Sequence, residues 1–282
     1  RRSHLYLLAL GFAVLAILSK PSTVMLPVAL ALVGWWIHRR FAWRDLFALA
    51  PFFALSALAA GWTIWEQKFH SGASGAEWAQ TGPERLVIAG RVVWFYLAQL
   101  GWPENLAFIY PRWSPNAAHA VAFLPLLCAV AALGWLTWQR SRFRAGLLAA
   151  AYFVALLFPV LGFFDIYFFR YSFVGDHFQY LASMGPLTAV AVGLARVAPR
   201  ALPLAGGLGG LALAVLTARH ATDFTNSESL WRATVARNPQ SAMAWAQLGA
   251  VHGRAARPAE AITCFQRALQ INPRHPEALN HL

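Results

Sequence analysis

Lysine is almost absent from this chain: Lys20 and Lys68 stand against 21 arginines. That bias, beside abundant alanine, points to a GC-rich bacterial genome. Acidic residues number only 11 in 282, and charged residues of both signs make up 12%. So little charge beside 59% hydrophobic residues and 13 tryptophans excludes an ordinary soluble protein. Cysteine is scarce as well. Cys128 falls in an apolar run and Cys264 near the C-terminus, which excludes a disulfide framework and leaves no cysteine-based metal site. No Ser-His-Asp spacing and no nucleotide-cradling glycine loop occur. Gly206-Gly-Leu-Gly-Gly210 lies inside an apolar run, where small residues let helices pack closely. No cofactor is evident, and nothing in the pattern decides whether a divalent metal takes part.

What the chain has is long apolar runs, all before residue 219. Seven could cross a bilayer: Leu5–Leu18, Ser22–Ile37, Leu46–Trp65, Ala118–Trp138, Ala145–Gly162, Leu181–Val197 and Ala201–Ala218. The first two are short against the roughly 17–25 residues a crossing helix needs. The net charge of +12 is concentrated between these runs, in Arg39, Arg40 and Arg44, in Arg140, Arg142 and Arg144, and in Arg196 and Arg200. Positively charged loops stay on the cytoplasmic side. With Arg1-Arg2 also inside, seven crossings put the C-terminal segment outside, which in a bacterium is the periplasm. The basic excess is thereby a topology signal, and no nucleic-acid partner is expected.

Two segments on the outer side carry most of the polar residues. The first runs from 66 to 117. It begins with the flexible Ser71-Gly-Ala-Ser-Gly-Ala76 and continues as a helical run from Pro83-Glu84 to Leu100, where Arg85 and Arg91 accompany Trp94, Phe95 and Tyr96. Spanning would bury Arg91 near mid-bilayer at about 2.5–3.5 kcal/mol. An interfacial helix, with arginines toward headgroups and rings toward acyl chains, avoids that cost. The second, 163–180, has nine Phe or Tyr in eighteen residues, as an aromatic belt does. It also holds Asp165, Arg170, Asp176 and His177. Arg170 is suited to a phosphate or to pairing with Asp165 or Asp176. Asp176 and His177 are suited either to capping the next helix or to acid–base contact with a substrate. Lys20, in Leu18-Ser-Lys-Pro21, is either a lysine snorkelling beside a proline breaker or a point charge for a lipid-linked phosphate.

After residue 219 the character changes. Trp231, Pro239, Trp245 and Leu248 recur 34 positions later as Phe265, Pro273, Leu279 and Leu282. Thirty-four is the tetratricopeptide period, in which each unit is a pair of antiparallel helices. One complete unit is expected over 242–275. Trp245, Leu248 and Gly249 lie on its first helix, Ala261, Phe265 and Ala268 on its second, and Pro273 closes it; His252 stands where the pattern has Tyr. The small residues admit close approach, and the two rings fill the space between the helices. A preceding second helix is expected over about 225–237, with partial units on both sides, so the chain reads as a fragment. The expected fold is all-α: a polytopic transmembrane helix bundle over 1–218, then a tetratricopeptide α-solenoid over 219–282.

Four pieces together, LSKPSTVMLPVALALVGWW (18–36), RVVWFYLAQLGWPENLAFIYP (91–111), GDHFQYLASMGPL (175–187) and the repeats, resemble the bacterial polytopic proteins related to the transmembrane and tetratricopeptide-repeat O-mannosyltransferases, of the C-type glycosyltransferase group. The resemblance implies transfer of a sugar from a polyprenyl-phosphate donor to a polypeptide acceptor outside the membrane, with the repeats recruiting the acceptor. It implies Lys20 near the donor phosphate and the Asp176-His177 loop at the rim of the site; Arg170 is a second candidate for the phosphate and Asp165 a further candidate for the rim. The catalytic carboxylate of that group lies in a first outer loop, which is expected upstream of this sequence. The alternatives are a non-catalytic membrane-anchored scaffold that binds proteins through its repeats, and a polysaccharide ligase, polymerase or transporter.

Overall fold

The structure is a computed structural model and describes residues 2–40 and 43–281. Arg1 and Leu282, both used in the sequence reading, lie outside the described residues. Among the described residues every regular element is helical. Seven helices precede the repeats' approach: α1 (Arg2–Ser19), α2 (Leu26–His38), α3 (Trp43–Phe69), α4 (Gly82–Gly101), α5 (Leu124–Trp138), α6 (Arg144–Leu157) and α7 (Met184–Val197). Then come α8 (Leu202–Ala221), α9 (Ser227–Arg237), α10 (Ala242–Arg254), α11 (Pro258–Ile271) and α12 (Pro276–Asn280).

All seven apolar runs fall on helices. Four of these, Pro21–His38, Trp43–Phe69, Ala120–Trp138 and Leu202–Phe224, are long and apolar enough to cross a membrane. At about 1.5 Å per residue, 18–27 residues reach about 27–40 Å, against a hydrocarbon core of about 30 Å. The other three, Ser3–Ser19, Arg144–Val160 and Met184–Val197, are shorter. These helices turn large apolar side chains outward: Phe47 is 76% exposed, Leu58 73% and Leu211 63%. Contiguous apolar surface of this kind is unfavourable in water and ordinary against lipid.

The chain divides into two compact units. The first comprises Arg1–Leu97, Pro115–Arg170 and His177–Gly193. Its most buried helix is α4, whose Val87, Ile88, Ala89, Val92, Val93 and Tyr96 are almost fully enclosed. That burial departs from the interfacial helix expected for this run: one face of α4 packs against protein rather than acyl chains. The close approach is set by Gly90, where a Cβ would lie 2.5 Å from the Leu126 backbone nitrogen of α5. Gly162 has φ +99°, a conformation glycine adopts freely, and a Cβ there would meet Ile88. At the end of α2, the Arg144 guanidinium donates to the carbonyls of Trp35 and Trp36 (2.6 Å each) and lies over both indoles. A cation there satisfies orphan carbonyls and complements the helix dipole.

The second unit comprises Ala98–Ser114, Tyr171–Asp176 and Leu194–Leu282. Its repeat helices start where the sequence supplies caps. Asn226 and Ser229 form a reciprocal capping box on α9, the Ser241 hydroxyl accepts from the Ala244 amide on α10, and Pro258 opens α11. Between α10 and α11 the turn is closed by the Arg257 amide donating to the His252 carbonyl. Ala256 there takes φ +54°, a place usually given to glycine.

Candidate functional site

The polar residues of the first unit's loops are engaged with one another. Arg85, on the first turn of α4, uses all five of its N–H donors. They go to the carbonyls of Gln80 (3.2 Å), Trp78 (3.2 Å), Gly162 (3.0 Å) and Phe163 (3.2 Å), and to Asp165 Oδ1 (2.7 Å). Five donors is the full capacity of a guanidinium. Arg85 is thus a clamp between 78–80 and 162–165, not a headgroup contact. Beside it the Trp78 indole N–H donates to the Ile166 carbonyl (2.9 Å), and the Tyr167 amide donates to Gln67 Oε1 (2.8 Å).

Arg170 meets neither carboxylate expected for it. It pairs with Glu77 at 2.8 Å, because Asp165 is already held by Arg85. Lys20 is exposed, its ammonium 5.7 Å from the centre of the Tyr180 ring. No carboxylate among the described residues lies within ion-pair reach of it. The imidazole of His177 lies against the rings of Phe168 and Phe178. Within the second unit, Asp176 accepts the Tyr110 hydroxyl at 2.6 Å. Among the described residues no group of three or more His, Cys, Asp or Glu is arranged to hold a metal ion.

The repeat residues gather as their spacing predicts. Phe265, Ala246, Ala261, Ala268 and Ala278 form one buried cluster, with Trp245 packed against its edge. Leu248 is buried, and the Trp245 indole N–H donates to the Pro239 carbonyl at 2.9 Å. Gly249 is required at its place: a Cβ would lie 2.9 Å from the Phe265 ring. Pro273 is exposed in the turn after α11. His252 is buried. The Gln247 amide on α10 donates to both oxygens of Glu277 on α12 (2.8 Å each), tying together the first helices of successive units. Burial pushes the Cys264 thiol above its ordinary value, so it rests protonated and inert.

Glu228 on α9 joins the helices electrostatically. Arg257, at the start of α11, and Arg232 both donate to it, and these hydrogen bonds, Arg257's first, hold its carboxyl at about 2, below an ordinary 4.5. A carboxyl depressed by folding stabilises the fold above its unfolded value and loses that contribution as pH falls through the folded one. The repeat region is therefore expected to lose stability between pH of about 4.5 and 2. Thermal unfolding of the full chain and of Glu228→Gln, each at pH 6 and pH 2.5, checks this: the variant loses less between the two.

Residues 242–275 match the family model for the tetratricopeptide repeat. No curated protein and no solved structure matches the chain, so no relative supports the likeness to the mannosyltransferases. A tetratricopeptide repeat in a chain with four membrane-length apolar helices fits a repeat-containing membrane protein, and such repeats generally mediate protein–protein interaction. Three of these contacts have no counterpart in the sequence analysis: Glu77 with Arg170, Tyr110 with Asp176, and the five-fold use of Arg85. Only the last left a trace, an arginine one turn into an apolar helix.

Proposed function

We propose that this chain is a membrane-anchored binding protein, with a membrane body over 1–218 and a repeat domain over 219–282 that takes a polypeptide partner. The observation that carries this reading is the matched repeat at 242–275 with its closed aromatic–alanine core. In such arrays the first helices of successive units line the binding face, here α10 and α12 with Gln247 and Glu277. The three arginine clusters support a bacterial inner-membrane protein whose repeats face the periplasm. A photo-cross-linking side chain at Gln247, in the full chain in its own membranes, is expected to give a discrete polypeptide adduct. The same side chain at Arg267, on the exposed side of α11, is expected to give none. Equal labelling from both positions, or none from either, contradicts the reading.

A second reading, a polyprenyl-phosphate-dependent glycosyltransferase, is favoured by one observation: Lys20 is an exposed cation without a carboxylate partner among the described residues. In that reading Lys20 meets the donor phosphate, joined by Arg170 when it leaves Glu77, and Asp165, Asp176 and His177 stand at the rim. Losing one charge-assisted contact costs about 1.5–3 kcal/mol. Lys20→Ala in the full chain is then expected to weaken binding of a polyprenyl phosphate about ten- to a hundredfold. Unchanged binding removes Lys20 from the donor site and with it the observation that favours this reading.

A further inference from the structure

The 34-residue echo makes Trp231 the counterpart of Phe265. Phe265 is covered by the first helix of its own unit, against Gly249 of α10. No such helix stands ahead of α9, since α9 follows α8 through the turn Thr222–Phe224. What covers Trp231 comes from far upstream. Phe108 meets Trp231 edge to face at 5.5 Å and Phe224 at 6.4 Å. Next to it the Asn238 side-chain amide donates to the Ile109 carbonyl, 129 positions away, at 3.3 Å. Ala107, Ile109, Tyr110, Thr234 and Asn238 are all buried.

Asn238 has its own counterpart in Asn272, each followed by proline at the repeat interval. Asn272 serves its own turn, accepting from the Arg274 amide at 3.1 Å. Asn238 instead points its donor at the upstream segment.

We infer that Ala107–Tyr110 is the N-terminal cap of the repeat array, standing in for the first helix that α9 lacks. Repeat arrays need their ends covered, because an open end exposes the apolar face meant for the next unit. The cap covers this end without a further repeat. Through Tyr110 it also ties the array to Asp176, so the segments 98–114 and 171–176 join the repeats in one folded body. The first helix of the array, α9, is thereby joined to these loops.

The test uses the full chain in membranes. With Phe108→Cys and Trp231→Cys together, a short bismaleimide is expected to cross-link the two positions within one chain, whereas neither single variant does so. Cysteines that are both labelled by a small thiol reagent yet never cross-linked overturn the cap. An independent arm keeps the aromatic contact and replaces Asn238→Asp, which removes the donor and sets a carboxylate against the Ile109 carbonyl. Amide exchange in α9 is expected to quicken about tenfold, while α1–α3 stay unchanged. Unaltered exchange in α9 overturns the proposal.

Discussion

Phe265→Ala is expected to lower the stability of the repeat region by about 3–5 kcal/mol, the cost of truncating a buried large aromatic side chain. The ring is 4% exposed and is surrounded by Ala246, Ala261, Ala268 and Ala278, with Gly249 at its face. The alanine and glycine neighbours cannot swing into the space left behind, whereas Trp245, Leu269 and the His281 ring stacked on Phe265 can close part of it. The part of the cavity that stays open keeps the effect within that range. Marginal stability magnifies the consequence: a typical domain has only about 5–15 kcal/mol in total. Amide exchange in the full chain measures it, with α10 and α11 losing protection together and α1–α3 retaining theirs. A variant with protection unchanged in α10 and α11 would mean that the ring is not their shared core.

Arg85→Ala is expected to be as severe for the first unit. Removing the guanidinium leaves four carbonyls and the Asp165 carboxylate without their donor. Unpaired, partly buried acceptors cost about 1–3 kcal/mol each, though such losses do not add. Because Asp165 is 39% exposed, solvent relieves part of the charge. A total near 3–4 kcal/mol is the expectation, close to the loss on breaking a buried ion pair. Arg85→Lys should recover little, since an ammonium has three donors at one point and cannot reach both 78–80 and 162–165 as a planar fork does. Thermal unfolding of the detergent-solubilised chain separates these cases. A lysine variant as stable as the natural chain would show that charge alone, not the fork, holds the loops.

The parts legible in sequence are those whose signal is periodic or compositional. Apolar runs mark α1–α3 and α5–α8, and the 34-residue interval locates Trp245, Gly249 and Phe265 together with the helix ending at Arg237. What escaped notice depends on backbone partners and on distance. Arg85 spends four of its five donors on carbonyls, which every residue has and no side-chain pattern reveals. Its bonds to Gly162 and Phe163 also span 77 and 78 positions. The same distance hides the packing of α4, since nothing local shows that the carbonyls of Gly162 and Phe163 come to Arg85. Glu77 as the partner of Arg170 was not legible, because it directly follows the Gly/Ser/Ala-rich stretch 71–76, which reads as a linker. The cap at Ala107–Tyr110 carried a faint mark, the repeated Asn-Pro at 238 and 272.

Alkaline carbonate washing of membranes containing the full chain, followed by protease treatment of intact spheroplasts, tests most directly that this is a membrane-anchored presenter of repeats. The chain is expected to remain with the bilayer through the wash, because helices such as Trp43–Phe69 and Leu202–Phe224 have no favourable state in water. External protease is then expected to remove the segment after about residue 221 while the arginine-rich loop at 140–144 stays intact. Release of the chain into the carbonate supernatant would contradict the anchoring. Cleavage confined to the 140–144 loop would contradict the placement of the repeats.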